Sequence, residues 1–261
     1  MKDLIAAEWV KLRSVRWSWH ILLYALSGII VPALIAWNVR SIWDRATPLV
    51  REHITVSPLT AAIGALLVNL FMGVLGVLVF TSEYSTGMIA TSLAAVPHRG
   101  KLLAAKAIVV AGVSLVAGEA ILMISFLCTD WIIGSRPIPF LTTSFSQVVP
   151  VLLSLGLGAM VFALVGLGLG CTLRSTAGAI VALIAGFLYL VPIVAIHLPV
   201  PWNDWVSAMT IMHLAGAVSG QPKLAAMNHA LLSPPWALLG LTIYVVAALG
   251  IANLFIRHRD I

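Results

Sequence analysis

Charge is what this sequence has least of. Only 9% of its 261 residues are charged, against about a quarter in a soluble domain. A chain that is 61% hydrophobic, with a mean hydropathy of +1.07, has too few polar groups to cover a water-facing surface. That excludes a soluble globular enzyme and predicts an all-α integral membrane protein. The chain holds only two cysteines, Cys128 and Cys171. They fall near the ends of different apolar segments, so the expectation is opposite sides of a bilayer and no disulfide.

Other absences narrow the chemistry. There is no G-x-x-x-x-G-K-[ST] loop to cradle phosphates, no H-E-x-x-H for a metalloprotease and no G-x-S-x-G for a hydrolase elbow. The seven histidines are not paired at metal-ligand spacing; His197, His213 and His229 read as loop or interfacial residues. No metal site and no catalytic residue is expected. No small-residue cleavage site follows the first apolar run, so no cleavable signal is expected.

The long apolar runs remain. A span needs about 20 mostly apolar residues, and six stretches qualify: His20–Val39, Leu59–Thr81, Leu103–Leu127, Val148–Leu173, Ala177–Leu198 and Trp236–Ile256. Pro32 and Pro192 fall inside spans, where neighbouring groups re-satisfy the freed carbonyls. Ten Lys and Arg residues fall on one side (Lys2, Lys11, Arg13, Arg16, Arg99, Lys101, Lys106, Arg174, Arg257 and Arg259) and five on the other (Arg40, Arg45, Arg51, Arg136 and Lys223). By the positive-inside rule both termini are cytoplasmic. The net charge of +6 therefore reads as membrane orientation rather than nucleic-acid binding. The chain reads as one domain, with an outer loop over 199–235.

Residues 1–19 form a basic amphipathic segment. Ile5, Trp9, Leu12 and Trp19 gather on one side, flanked by Lys11 and Glu8 on one edge and by Arg13 and Lys2 on the other, and Arg16 breaks the stripe. It either lies in the headgroup region or extends the first span into water. Residues 82–102 lie between the second and third spans. Glu83 stands just past a span end, Gly87 offers a break, and Met88–Ala95 has length for a short helix with Ile89 and Leu93 on one face. Pro97 stops that helix, and His98, Arg99 and Lys101 meet the headgroups. Such an element suits contact with a cytoplasmic partner.

Inside the spans, Glu119 is the one deep acid. It either pairs with a polar group on a neighbouring helix or lines a translocation path or proton site. Asn69 is the other deep polar group, an interhelical hydrogen bond before a substrate contact. Gly166 and Gly170, among the fourth span's glycines, form a small-x-x-x-small pair that lets two helices approach.

The N-terminal "EWVKLRSVR", the run "EYSTGMIATSLAAVPHRGKLLAAK" and the six-span plan resemble the permease subunit of bacterial type-two ATP-binding-cassette exporters, over nearly the whole chain. The family pattern of an acid, three residues, then Gly-Thr is matched at Glu83 and Gly87, with Met88 where Thr is usual. Leu93, Pro97, Arg99 and Lys106 match its later positions. The resemblance implies a connecting helix (1–19, with Trp9, Lys11, Leu12, Arg13 and Arg16) and a coupling helix (Glu83, Gly87, Met88, Ile89, Leu93, Pro97 and Arg99) that docks on a separate ATPase. It implies two permeases with two ATPases, ATP and Mg bound by the partner, and a bacterial cytoplasmic membrane. It also implies short re-entrant helices before the last span, with Val206–Gly216, behind "PWNDW", as one. Arg13 and Arg16 are the candidate partners of Glu83. The apolar interior fits a drug, lipid or antimicrobial peptide as cargo. An ion-coupled carrier using Glu119, a membrane-embedded enzyme and a non-transporting scaffold or sensor are the other classes.

Overall fold

The computed structural model describes residues 1–51, 59–88, 99–138, 145–221 and 232–258. Among the described residues six helices are long and apolar enough to cross a membrane: Arg16–Arg45, Ala62–Tyr84, Arg99–Ile133, Phe145–Leu173, Thr176–His197 and Pro234–Ile256. Each expected span is present, and most run further than expected. The third helix gains polar turns at both ends, because hydropathy marks the hydrocarbon core and not the helix.

Cross-ties show that the spans alternate in direction. At one end, here called basal, Arg99 donates to the Ile256 carbonyl at 2.9 Å and the Arg174 guanidinium lies over the Tyr84 ring. At the other, distal end, Arg40 donates to the Ile132 carbonyl at 3.1 Å, and Arg136 makes a two-pronged pair with Asp44 at 2.7 and 2.9 Å. Cys128, near the distal end of the third span, and Cys171, near the basal end of the fourth, are both free.

The fourth span is the centre of the bundle. It packs on the second, third and sixth spans, and the second–fourth contact is the most extensive. Glycine makes it possible. A Cβ at Gly76 would overlap the Ala163 carbonyl, and one at Gly166 would overlap the Gly73 carbonyl. At Gly170 a Cβ would sit 2.8 Å from the Val77 carbonyl oxygen. The expected Gly166/Gly170 face is thus a helix contact, and its partner is the second span. In lipid no hydrophobic effect drives helices together, so close approach and its dispersion gain do that work.

Local sequence accounts for the irregularities. The first span is interrupted at Leu26, between Arg16–Ala25 and Ser27–Arg45, beside a Ser27-Gly28 pair of the kind that kinks helices. The fifth span widens to a π-helix over Ala182–Leu190, ahead of Pro192. Proline has no N–H and crowds the carbonyl one turn earlier, and wider turns relieve that crowding. Beyond the fifth span, the helix expected over Val206–Gly216 is divided into Trp202–Ala208 and Ile211–Val218. The division falls at Thr210, whose Oγ1 N-caps the second piece by accepting from the His213 N–H. Ile211–Val218 packs on the fourth and sixth spans. Its Ala215 lies against Gly158, close to the middle of the fourth span, so this distal segment dips deep into the bundle.

The glycine seam predicts an asymmetric response. Gly166→Leu should destabilise by at least about 1–3 kcal/mol through overpacking, read as a lower thermal midpoint of the detergent-purified chain. Gly112→Ala, where a Cβ meets nothing within 4 Å, should leave the midpoint in place.

Candidate functional site: a buried ion cluster at the basal end

The N-terminal helix runs Lys2–Ser14 and stops at Val15, which is extended (φ −89°, ψ 131°). It is therefore a separate helix, not an extension of the first span into water. Ser18 Oγ donates to the Leu12 and Val15 carbonyls, each at 2.6 Å, and Trp19 Nε1 donates to the Arg13 carbonyl at 3.0 Å. These bonds satisfy carbonyls that the helix end leaves open and fix the angle between the two helices.

The helix packs on the third span. Its buried residues are Glu8 and Leu12, whereas Trp9 and Arg13 are exposed. The inward face is thus centred on an acid, about 50° round the helix from the apolar stripe expected from the sequence. Glu8 meets Lys106, two turns into the third span, with Oε2 2.6 Å from Nζ. Lys106 is almost completely buried, at 1% exposure. Its ammonium also lies 2.6 Å from Glu83 Oε1, at the basal end of the second span. Lys11 closes the ring, 2.8 Å from Glu8 Oε1 and 3.2 Å from Glu83 Oε1.

Four charges of alternating sign thus join three helices with no net charge. Spacing explains how each helix contributes: Glu8, Lys11 and Leu12 recur at i, i+3 and i+4, which puts them on one face. Burial alone would lower the Lys11 pKa, but its hydrogen bond to Glu8 and the charges of Glu83 and Glu8 outweigh burial and hold it above 10.5. A lysine whose pKa is raised on folding stabilises below its unfolded pKa and loses that contribution only as pH rises through the higher folded value. Lys11 therefore keeps its charge through neutral pH.

This arrangement corrects one expectation. The partners of Glu83 are Lys11 and Lys106, not Arg13 or Arg16, whose side chains are exposed. Sequence reasoning had Glu8 only as a flanking charge and Lys106 only as a pattern match. The signal that could have found them is an acid and a lysine set among apolar residues on the helix faces turned inward.

The remaining residues singled out from the sequence are dispersed. Gly87 ends the second helix in the left-handed region, φ +71°, where glycine has no steric penalty. Met88 is exposed, and Arg99 ties the third span to the sixth. Ile89, Leu93 and Pro97, and with them most of the helix expected over Met88–Ala95, lie outside the described residues, as do Lys223, His229 and Arg259. Glu119 packs on Gly156, where a Cβ would overlap its carboxyl. Asn69 is buried near Gly158, on another face of the fourth span. Glu119 Oε2 and Asn69 Oδ1 are buried and accept no hydrogen bond, so the interhelical bond expected of Asn69 is not made through its oxygen. Among the described residues no three His, Cys, Asp or Glu side chains converge to hold a metal ion.

Lys106→Met leaves two buried carboxylates with only the partly exposed Lys11 between them and should cost about 3–5 kcal/mol. Adding Glu8→Gln and Glu83→Gln should recover most of it, because the uncompensated charge goes too. Arg13→Ala and Arg16→Ala should stay within about 0.5 kcal/mol. Thermal unfolding of the purified chain reads all of these.

No curated protein matched the chain. One family model did, described as "ABC-2 family transporter protein", over residues 4–193. That match takes in the N-terminal helix, all four charges of the cluster and most of the first five spans, and it covers well over half of the chain: the protein belongs to the ABC-2 family and is the membrane-spanning component of an ABC transporter.

Proposed function

We propose that this chain is the permease half of an ATP-driven exporter and that the basal end is its cytoplasmic, force-receiving end. The observation that carries the proposal is the Glu8–Lys106–Glu83–Lys11 ring. It binds the N-terminal helix to the two spans that lead into and out of residues 86–98.

On this reading residues 82–102 receive the motion of a separate ATPase. Closure of two ATPase subunits on ATP displaces that segment in each of two permease copies. The ring passes the displacement on, because Glu83 and Lys106 move together with the N-terminal helix instead of sliding past it. The second span then carries the fourth with it through the glycine seam, and a path between the two permeases changes the side to which it opens. Excess basic charge at the same end supports placing both termini in the cytoplasm of a bacterial cell. The apolar bundle favours an amphiphilic or hydrophobic cargo, such as a drug, lipid or antimicrobial peptide.

A second reading, a gradient-driven carrier, rests on Glu119. An acid in a span with one oxygen unpartnered is a candidate proton or ion site.

Two experiments separate these readings. The tagged chain, extracted gently from its own membrane, should retain a soluble ATPase, and replacing residues 88–95 with a Gly/Ser linker should abolish retention. Absence of an ATPase from both preparations would sink the exporter reading. In the reconstituted complex Glu83→Gln should leave ATP hydrolysis running while transport falls by about tenfold or more, whereas Glu119→Gln should leave ATP-driven transport near wild type. Transport lost with Glu119→Gln and untouched by Glu83→Gln would favour the carrier.

A further inference from the structure

Between the N-terminal helix and the first and third spans lies a cavity of about 240 Å³. Trp9 and Arg13 line it from the N-terminal helix, at i and i+4 on one helix face. Both are exposed, and so is Trp19 of the first span, which lines it as well. The Trp19 ring is tethered there, because its Nε1 donates to the Arg13 carbonyl at 3.0 Å. The apolar lining includes Leu22 of the first span and Val113 of the third, each half-buried. Val113 lies about two turns further into its span than Lys106, so the cavity reaches from the level of the ion cluster toward the middle of the bundle. Charge at this corner is one-sided. Among the described residues the guanidinium groups of Arg13 and Arg16 make no ion pair and donate no hydrogen bond. Glu8 and Glu83 are taken by Lys11 and Lys106, and Asp3, the other acid of the N-terminal helix, is about 15 Å from Arg13 along the helix axis.

We infer that this cavity seats an anionic phospholipid, with the phosphate on Arg13 and the start of one acyl chain along Leu22 and Val113. A guanidinium presents paired N–H donors that match two phosphate oxygens. Indoles favour the depth at which headgroups meet hydrocarbon, and Trp9 and Trp19 put that depth at Arg13. The cavity is smaller than one that encloses a drug-sized ligand, which suits a molecule whose bulk stays in the bilayer. Net charge selects the headgroup. A choline or ethanolamine headgroup carries a cation of its own into a corner that already holds two arginines without counter-charges. A glycerol headgroup leaves the phosphate charge whole. The N-terminal helix is then held on two faces, by Glu8 to the spans and by Arg13 to the leaflet. The lipid is a constituent of this joint rather than cargo, and its binding does not depend on the direction of transport or on the ATPase.

The test uses the full chain in nanodiscs of equal parts phosphatidylglycerol and phosphatidylcholine. Lipids that survive mild detergent stripping are counted by native mass spectrometry. Phosphatidylglycerol should be retained over phosphatidylcholine by about fivefold, the effect of one arginine beside anionic lipid. Arg13→Gln, which removes the charge, and Val113→Phe, which fills the cavity and leaves Arg13 in place, should each bring the ratio close to one without changing helix content. Arg16→Gln, outside the cavity, should leave the preference largely in place. Equal retention by the unaltered chain makes the cavity an ordinary lipid-facing surface and overturns the assignment. A preference that survives Arg13→Gln and Val113→Phe overturns it too, as does one that Arg16→Gln lowers as far as Arg13→Gln, which would mark diffuse basic charge instead of a site. Because no ATPase is in the assay, failure here says nothing about the exporter reading, and loss of ATPase co-purification says nothing about this site.

Discussion

The buried ammonium of Lys106 constrains everything at the basal end. A lysine at 1% exposure keeps its charge only if acids surround it, since desolvating an unpaired ammonium costs several kcal/mol. Glu8 and Glu83 both lie 2.6 Å away, and neither is on the same helix as Lys106. The N-terminal helix therefore has one acceptable rotation: turned by one residue, about 100°, it would carry Glu8 off Lys106. Against apolar residues of similar volume such a ring adds little net stability. What it adds is register, because sliding any of the three helices exposes a charge mismatch in a low-dielectric setting.

That register matters because of what lies behind it. The second span enters the ring at Glu83 and, about two to three turns earlier, is locked to the fourth span by backbone-to-backbone contact at Gly73, Gly76, Gly166 and Gly170. Side chains at a helix contact can change rotamer and absorb a shift. Glycine contacts have no such slack, so under the proposed mechanism a displacement at Glu83 is passed on to the centre of the bundle. On that proposal the polar joint and the glycine seam divide the work: one fixes which parts move together, the other makes the motion rigid.

How much of this the sequence discloses follows from the kind of signal involved. Spans are legible because each is a long composition run and needs no knowledge of neighbours, and Gly166/Gly170 is legible as a packing face because small residues at i and i+4 have few other uses in a membrane helix. The break at Val15, the partner of the glycine seam and the owner of Glu83 are not legible. Arg13 and Arg16 were natural partners by proximity and charge, yet pairing is decided by helix rotation. The helix turns on Glu8 and Leu12, which sends Arg13 outward. Val206–Gly216 shows the same limit on a smaller scale: its apolar character is plain and the Thr210 cap that splits it is local, but nothing in the run shows that its second piece packs on the fourth and sixth spans.

Glu119 and Asn69 show where the fold leaves polar capacity unspent. Gly156 has no Cβ where the Glu119 carboxyl lies, so the fourth span makes room for that acid without offering it a donor. Gly158 does the same service for Ala215 and lies near Asn69 Oδ1. A bundle that needed only stability would fill these places with methyl groups and drop the acid, since an acceptor left unmet in hydrocarbon is a standing cost. Glu119 is on the third span and Asn69 on the second, and both face the fourth span, which the glycine seam ties to the second. Under the proposed mechanism the second and fourth spans move together past Glu119, and an unsatisfied polar atom biases the bundle toward any state in which water or a ligand reaches it.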